Sequence, residues 1–206
     1  MARFIADGLG MIETIGNTKI LRTSYANTSD LYLSVADKLK AITEQPNTLL
    51  WFIENGICSY HNENDEGRQV YRWPELKDLV EFLKDNIKEY LKIISVNEQD
   101  VAVTGMWVNR YPPGTFIVKH KHDYLNENNS VIIGVVYYIR KEENAGSLVI
   151  DIPGYGKYNT KMQEGDVIIF DSSLEHWTVP NQTEIDKYTI GLEIVVGDNG
   201  VRLNEI

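Results

Sequence analysis

The second half of the chain is divided into short segments of strand length, and this pattern restricts the fold more than any other feature. The segments are rich in Val, Ile, Tyr and Thr and are separated by Gly, Pro, Asn and Asp. Such segments are typical of β-strands joined by turns, and a series of them indicates an antiparallel sandwich or barrel. They read VAVTGMWVNRY, TFIVKH, VIIGVVYYI, SLVIDI, DVIIF, HWTVP and YTIGLEIVV.

Helical patterns occur in the first hundred residues instead. TSDLYLSVADKLKAI offers Ser29 as an N-cap, and WPELKDLVEFLKDNIKEYLKII offers Pro74 for a first turn. In both, apolar residues recur at the spacing of an amphipathic helix. We therefore predict a mainly β protein with N-terminal α-helices packed on an outer face of the β-core. The apolar positions are Leu31, Val35, Leu39 and Ile42 in the first segment and Leu76, Leu79, Val80, Leu83, Ile87 and Leu91 in the second.

Nothing in the sequence divides the chain into separate domains. It has 206 residues, without a repeat, a low-complexity tract or a linker rich in Pro, Gly and Ser. This length is sufficient for one domain with a sizeable core. We predict a single domain in which residues 1–100 form a helical support, residues 101–196 form the β-core and residues 197–206 form a C-terminal tail.

The charge balance argues against some classes of partner. The formal net charge is −10 at pH 7, whereas binding to nucleic acid or to an anionic membrane depends on neutralising phosphates. No apolar run is long enough to span a bilayer, and the first residues lack the pattern of a signal peptide. The single cysteine, Cys58, fits a reducing compartment. We expect a cytoplasmic protein without a nucleic-acid or membrane partner.

Three of the four histidines are placed where a metal site could form. His120 and His122 lie two residues apart in TFIVKHKH, so their side chains point to the same side of a strand. His176 follows a strand and a short turn in GDVIIFDSSLEHWTVP. Two imidazoles close in sequence and one distant imidazole make a three-ligand face with open positions, which is typical of a catalytic metal site rather than a structural one.

These histidines belong to a longer series of motifs, between about residues 107 and 194. The blocks NRYPPGTFIVKHKHDY, VVYYIRKEENAGSLVI, EGDVIIFDSSLEHWTVPN and KYTIGLEI follow one another in this order. Their order and spacing resemble the iron- and 2-oxoglutarate-dependent oxygenases, in the branch that contains prolyl 4-hydroxylases. Small oxygenase-like proteins that carry a His-x-His motif are more similar still. The resemblance implies a double-stranded β-helix core, the jelly-roll of cupin-like proteins.

The resemblance implies that His120, His122 and His176 hold Fe(II). The family pattern has Asp two residues after the first histidine, whereas this chain has His122 there and Asp123 one residue later. Either His122 takes the place of the carboxylate, or a local bulge turns Asp123 inward. Strand alternation favours His122. Three neutral ligands would leave the charge of the metal uncompensated, which favours an anionic co-ligand such as a keto acid.

The resemblance also implies 2-oxoglutarate as a cosubstrate. Lys187 stands where the family usually has the Arg that binds the far carboxylate, and Thr189 lies two residues further on the same face. A lysine can still pair with a carboxylate, although as a point charge rather than a planar fork. Tyr111 and Tyr138 match family tyrosines that hydrogen-bond 2-oxoglutarate.

Together these motifs imply a Fe(II)- and 2-oxoglutarate-dependent dioxygenase. Its default reaction would be hydroxylation of an unactivated C–H bond in a small metabolite or a peptide side chain, with release of succinate and CO₂. Two alternatives stay open. A three-histidine cupin-type dioxygenase would need no keto acid, so Lys187 would be dispensable. A jelly-roll module that binds metal without turnover would form no succinate.

Overall fold

A computed structural model describes residues 2–4, 10–26, 29–43, 52–53, 56–61, 67–122, 132–197 and 200–206. The strands are β1 (Ala2–Phe4), β2 (Met11–Ile15), β3 (Thr18–Ser24), β4 (Phe52–Ile53), β5 (Ile57–Cys58), β6 (Val101–Tyr111), β7 (Phe116–Ile117), β8 (Ile132–Arg140), β9 (Leu148–Ile152), β10 (Gly156–Asn159), β11 (Asp166–Asp171), β12 (His176–Thr178), β13 (Lys187–Val196) and β14 (Val201–Arg202). The α-helices are α1 (Ser29–Thr43) and α2 (Lys77–Ile93). Short 3-10 turns span Ser59–His61, Val70–Arg72, Pro74–Leu76, Glu98–Asp100 and Leu203–Glu205.

Both predicted helices are present and bury the predicted faces as far as these are described, since the side chain of Ile42 lies outside the described residues. In α1, Leu31, Val35 and Leu39 are buried; in the second helical segment, the predicted apolar positions from Leu76 to Leu91 are all buried. These side chains join one large core with residues from one face of the main sheet. Each such buried side chain stabilises the fold by roughly 1.5–3 kcal/mol, so this face of the sheet is firmly covered. The prediction of helices on an outer face of the β-core is confirmed.

All strand-to-strand pairings of the main sheet among the described residues are antiparallel, and one isolated parallel bridge joins Gln69 to Met106. The strand order of the main sheet is β1-β2-β3-β11-β8-β13-β6-β14, and β5 also pairs with β6. β13 therefore lies at the centre, between β8 and β6. The other large strands flank this centre, so a side chain on β13 is shielded from solvent on both sides.

A second, smaller layer lies opposite the main sheet. Strands β10, β9 and β12 form one antiparallel sheet, and β4 pairs with β7. An isolated bridge between His120 and His176 joins the segment after β7 to β12. A second core, built from Ile150, Leu148 and Phe170 among others, lies between the two layers.

The two faces of β13 have different chemistry. Ile190, Leu192 and Ile194 face the helices and belong to the large core. Residues of the other parity, from Lys187 through Thr189 and Gly191, lie on the opposite face, toward the second layer. The centre of the main sheet thus presents polar groups to the space between the layers.

The sequence-based boundaries differ from the structure in several places, among them a strand after β9, β10, that the patterns did not predict. Residues 115–120 were predicted as one strand, but only Phe116–Ile117 forms a strand there, followed by the single bridge at His120. The first hundred residues also contribute strands, because β2 and β3 form a hairpin that extends the main sheet through β11. The division into a support, a core and a tail stays a prediction. In the described part of the chain, no helix is long and apolar enough to cross a membrane.

Gly191 on β13 leaves space for the indole ring of Trp107 on the face of the main sheet that points to the second layer. A Cβ at Gly191 would lie 2.6 Å from Cε2 and 2.8 Å from Nε1 of Trp107, its cross-strand partner on β6. The backbone at Gly191 is not in the left-handed region, so the requirement is for space alone. The indole of Trp107 can therefore lie across β13.

We expect Gly191→Ala to displace this indole and to lower the free energy of unfolding by about 1–3 kcal/mol, as overpacking does. Denaturant unfolding and indole fluorescence would measure both effects. The matched background is Trp107→Leu, in which the added methyl group meets no indole. A loss of equal size in both backgrounds would contradict the role assigned to Gly191.

Candidate metal centre and its cavity

Backbone hydrogen bonds bring the three histidines together. The N–H of His120 donates to the carbonyl of His176 over 3.0 Å, and the N–H of His176 donates back over 2.8 Å. The N–H of His122 donates to the carbonyl of Ser172 over 3.0 Å. The ring centroids lie 4.2 Å (His120–His176), 5.3 Å (His120–His122) and 5.2 Å (His122–His176) apart. One possible ligand atom from each residue lies within 4.8 Å of the others, a spacing that one metal ion can span.

Hydrogen bonds to carbonyl groups select one tautomer for two of the rings. Nδ1 of His120 lies 2.8 Å from the carbonyl oxygen of Val118, and Nδ1 of His176 lies 2.8 Å from that of Leu174. A carbonyl oxygen only accepts, so each Nδ1 carries the proton. The remaining nitrogen of each ring, Nε2, then has the lone pair that binds a metal.

Burial keeps two of the imidazoles neutral. Desolvation, and then the charges of the other two rings, hold the pKa of His176 well below its usual range. Desolvation also lowers the pKa of His120. Neutral imidazole is the form that ligates a metal, and imidazole donors suit Fe, Ni, Cu and Zn. The donor set therefore fits one transition-metal ion with positions left for other ligands.

The three rings lie in the wall of a cavity of about 350 Å³ between the two layers. Much of its lining is apolar or aromatic. Trp107 comes from β6, Phe170 from β11 and Trp177 from β12, so the cavity is bounded by both layers. Cys58 and Tyr60, from the first hundred residues, also line it. Burial raises the pKa of the Cys58 thiol to about 12, so it is not a thiolate donor.

Three of the four residues predicted to bind the keto acid line this cavity. They are Tyr111, Tyr138 and Thr189. The hydroxyl of Tyr138 accepts a hydrogen bond of 2.9 Å from the backbone N–H of Leu148. The amide of Asn109 donates to the hydroxyl of Thr189 over 3.3 Å, and the phenol of Tyr111 also bonds that hydroxyl. The cavity therefore contains a cluster of neutral hydrogen-bonding groups.

Lys187, the fourth, is placed deeper than the sequence suggested. It is fully buried and does not line the cavity. Its Nζ donates to the carbonyl of Gly146 over 3.1 Å and lies 4.0 Å from the ring centroid of Tyr111. Burial, together with the nearby charge of Lys141, lowers the pKa of Lys187 to about 7. A positive charge at this position is therefore costly in the ligand-free protein.

Asp123, the alternative third ligand, lies outside the described residues. The assignment of His122 over Asp123 therefore remains a prediction, although His122 is one of the three clustered rings.

One residue of the site was not predicted from the sequence. Glu193 lies on the same face of β13 as Lys187 and Thr189, and its carboxylate is in direct contact with Nδ1 of His122. The available signal was a lone acidic residue inside the apolar run YTIGLEIVV. The parity of that run places Glu193 toward the cavity, but only the fold brings His122 to it.

Comparison with known proteins finds relatives by structure alone. No family model matches the chain, and no curated protein matches it. HygX from Streptomyces hygroscopicus, solved with nickel, 2-oxoglutarate and hygromycin B bound, is 12% identical with a TM-score of 0.60 over 89% of this chain and 84% of its own. A Pseudomonas putida prolyl-4-hydroxylase is 12% identical with a TM-score of 0.60, over 87% of this chain and 92% of its own.

A third neighbour is an oxidoreductase of the 2OG-Fe(II) oxygenase family from Burkholderia pseudomallei. It is 15% identical, with a TM-score of 0.57 over 89% of this chain and 87% of its own. At identities this low, the structural similarity shows a shared fold and does not show a shared reaction. The chain therefore has the double-stranded β-helix fold of the 2-oxoglutarate- and iron-dependent oxygenases, as its motifs predicted.

Proposed function

We propose that this protein is a Fe(II)- and 2-oxoglutarate-dependent dioxygenase that hydroxylates an unactivated C–H bond and releases succinate and CO₂. The observation that carries the proposal is the cluster of three histidines, two with a fixed tautomer, in the wall of a cavity of the oxygenase fold. Fe(II), when bound, supplies the activation of dioxygen, for which 2-oxoglutarate is the source of electrons.

One group of residues would bind the metal, and another would bind the keto acid. His120, His122 and His176 would hold the metal. Tyr111 and Thr189 offer hydroxyl groups to the far carboxylate of 2-oxoglutarate, in a cavity whose mainly apolar lining strengthens each hydrogen bond. These groups orient the keto acid rather than react with it.

Lys187 supplies positive charge to the same subsite. Its ammonium lies against the Tyr111 ring, and both the phenol of Tyr111 and the hydroxyl of Thr189 are at the cavity wall. A carboxylate bound at those hydroxyls would lower the cost of a charged Lys187, because the two charges attract strongly in a buried setting. Because Lys187 does not line the cavity, direct pairing with the carboxylate requires a local rearrangement of side chains. We therefore assign Lys187 to the anchor as a proposal.

The cavity wall also limits the substrate. Trp107, Tyr60, Ile117 and Trp177 contribute large apolar surfaces, and Tyr60 meets Trp107 edge-to-face at 5.1 Å. Such a wall favours a small molecule or a peptide side chain whose reacting part is apolar or aromatic.

One observation favours a second candidate function. Lys187 does not line the cavity, so its ammonium does not reach the space in which a keto acid would bind. A three-histidine dioxygenase that needs no keto acid would have this property. The two functions differ in whether 2-oxoglutarate binds the metal-loaded protein.

The deciding experiment is an anaerobic titration of the metal-free protein with Fe(II) and then with 2-oxoglutarate. We expect a weak visible charge-transfer band from the chelate, which His120→Ala or His176→Ala abolishes. The band should disappear in His122→Ala and persist in Asp123→Ala, and the reverse pattern would assign Asp123 as the ligand. Tight iron binding without a band would contradict the keto-acid function and support the second candidate.

The anchor can be tested through pH. Lys187 must be protonated to attract a carboxylate, and its pKa in the ligand-free protein is about 7. Binding of 2-oxoglutarate should therefore take up a proton above pH 7, and the affinity should fall by up to about tenfold per pH unit there. Isothermal titration of 2-oxoglutarate into the nickel-loaded protein between pH 6 and 8.5 would measure this slope.

Other titratable groups lie near Lys187, and the control variants must separate their effects on 2-oxoglutarate binding from that of Lys187. Lys141 lies near Lys187 and opposes its charge, and burial raises the pKa of the Tyr111 phenol, which stays protonated in this range. Lys187→Met should lose the slope and bind 2-oxoglutarate at least tenfold more weakly at pH 6.5, whereas Lys141→Met should keep the slope. A slope that survives Lys187→Met would remove Lys187 from the anchor.

The burial of Lys187 also makes the stability of the fold depend on pH. The unfolded chain binds the Lys187 proton up to pH 10.5, whereas the ligand-free folded chain releases it near pH 7. This group therefore makes stability rise with pH between these values. We expect Lys187→Met to raise the melting temperature at pH 7 by roughly 5 °C or more, and the gain to shrink as the pH approaches 10.5. Thermal unfolding by circular dichroism at several pH values would measure it.

A further inference from the structure

Glu193 is a buried carboxylate at the back of the metal centre. Its side chain is 1% exposed, and it extends from the central strand of the main sheet. A buried acidic group is strongly destabilising unless nearby groups compensate its charge and satisfy its oxygens. The Glu193 carboxylate therefore requires neighbouring groups that donate hydrogen bonds or carry positive charge.

Two side chains from different parts of the fold meet this carboxylate. The hydroxyl of Thr104, on β6, donates to Oε1 over 2.6 Å. Oε2 is in direct contact with Nδ1 of His122. One oxygen is thus held by the sheet, while the other is directed at one ring of the metal centre.

Neighbouring residues leave space for this arrangement. The cross-strand partners of Glu193 are Gly105 on β6 and Gly134 on β8. Direct partners in an antiparallel sheet share a face, and these two glycines carry no side chain there, so Thr104 from the neighbouring register position reaches the carboxylate on one side. The imidazole of His122 can therefore approach it from the second layer.

The Nδ1 partners of the other two histidines indicate the role of the contact between Glu193 and His122. Nδ1 of His120 and Nδ1 of His176 each meet a backbone carbonyl, which fixes the proton on Nδ1. At His122 the corresponding partner is a carboxylate. A carboxylate holds the Nδ1 proton more strongly than a carbonyl and makes the ring a better donor to a metal.

We infer that Glu193 is a positioning residue that accepts the Nδ1 proton of His122 and supplies the metal centre with its negative charge through that ring. This inference rests on the proposed role of the three histidines as ligands. His122 stands where the family pattern has a ligating Asp, so the chain keeps one carboxylate at the centre but places it behind an imidazole. The net charge around a divalent ion is then the same as with a His-Asp-His set.

The test is the affinity of the protein for Co(II), measured with and without the carboxylate. Glu193→Gln keeps the shape and can still accept from Thr104. Its amide, however, donates toward Nδ1 of His122, which drives the ring proton to Nε2 and blocks the lone pair that binds the metal. We expect the affinity to fall roughly 10- to 100-fold, the range for partners of ligating histidines.

A double-mutant cycle separates positioning from a general loss of charge. In His122→Ala, the ring through which Glu193 acts is absent, so Glu193→Gln should have little further effect on Co(II) affinity. The charge-matched control is Asp151→Asn, since Asp151 pairs with Lys119 over 3.0 Å on the other side of the second layer and should leave the affinity unchanged. An equal loss in both backgrounds, or none in wild type, would overturn the inference.

A spectroscopic measurement on the wild-type protein tests the inference without any variant, so it holds even if Glu193→Gln fails to fold. In the Zn(II)-loaded protein with ¹⁵N-labelled histidine, we expect an Nδ1 proton on all three rings, with the resonance of His122 furthest downfield. A ring of His122 protonated on Nε2 would contradict the role of Glu193. Co(II) binding without any 2-oxoglutarate binding would overturn the proposed reaction but not this inference, and a wild type that binds no metal would overturn both.

Discussion

The reciprocal hydrogen bonds between the backbones of His120 and His176 are the interaction on which the site depends. They join the segment after β7 to β12 and so complete the layer opposite the main sheet. Because the bonds involve two of the proposed ligand residues themselves, any opening of this layer separates their imidazoles. Metal binding and closure of the second layer should accordingly stabilise each other.

The central strand of the main sheet arranges the chemistry of the cavity along one line. Lys187, Thr189, Gly191 and Glu193 alternate toward the second layer, while Ile190 and its neighbours pack against the helices. A lysine therefore lies toward one end of this line and a carboxyl group toward the other, with a hydroxyl and the glycine beneath the Trp107 indole between them. Since the helices cover the back of this strand, the polar face is held in one register.

Sequence patterns predicted the elements whose signals are local. The amphipathic face of α2 and the limits of β6 follow from residues that are close along the chain, and both are found in the structure. The hairpin of β2 and β3 was missed because its strands are half-buried and depend on pairing with the distant β11. Residues 115–120 carried a strand-like composition, but tertiary packing allows only a short strand there.

The site was predictable in part for the same reason. The spacing of His120 and His122, and the parity of Lys187 and Thr189, are properties of the sequence that survive folding. The depth of Lys187 was not predictable, because it depends on the Tyr111 ring from another strand. Glu193 was not predicted because its role depends on its contact with His122, which is 71 residues away in the sequence.

The contact between Glu193 and His122 has a consequence for how such a site could change in descent. Replacing His122 by Asp alone would set two carboxylates close together in a buried place, and both could not stay ionised. Replacing Glu193 alone would leave the centre without a negative charge. Conversion between a three-histidine set and a His-Asp-His set would thus require coordinated substitutions at His122, in the segment after β7, and at Glu193 on β13.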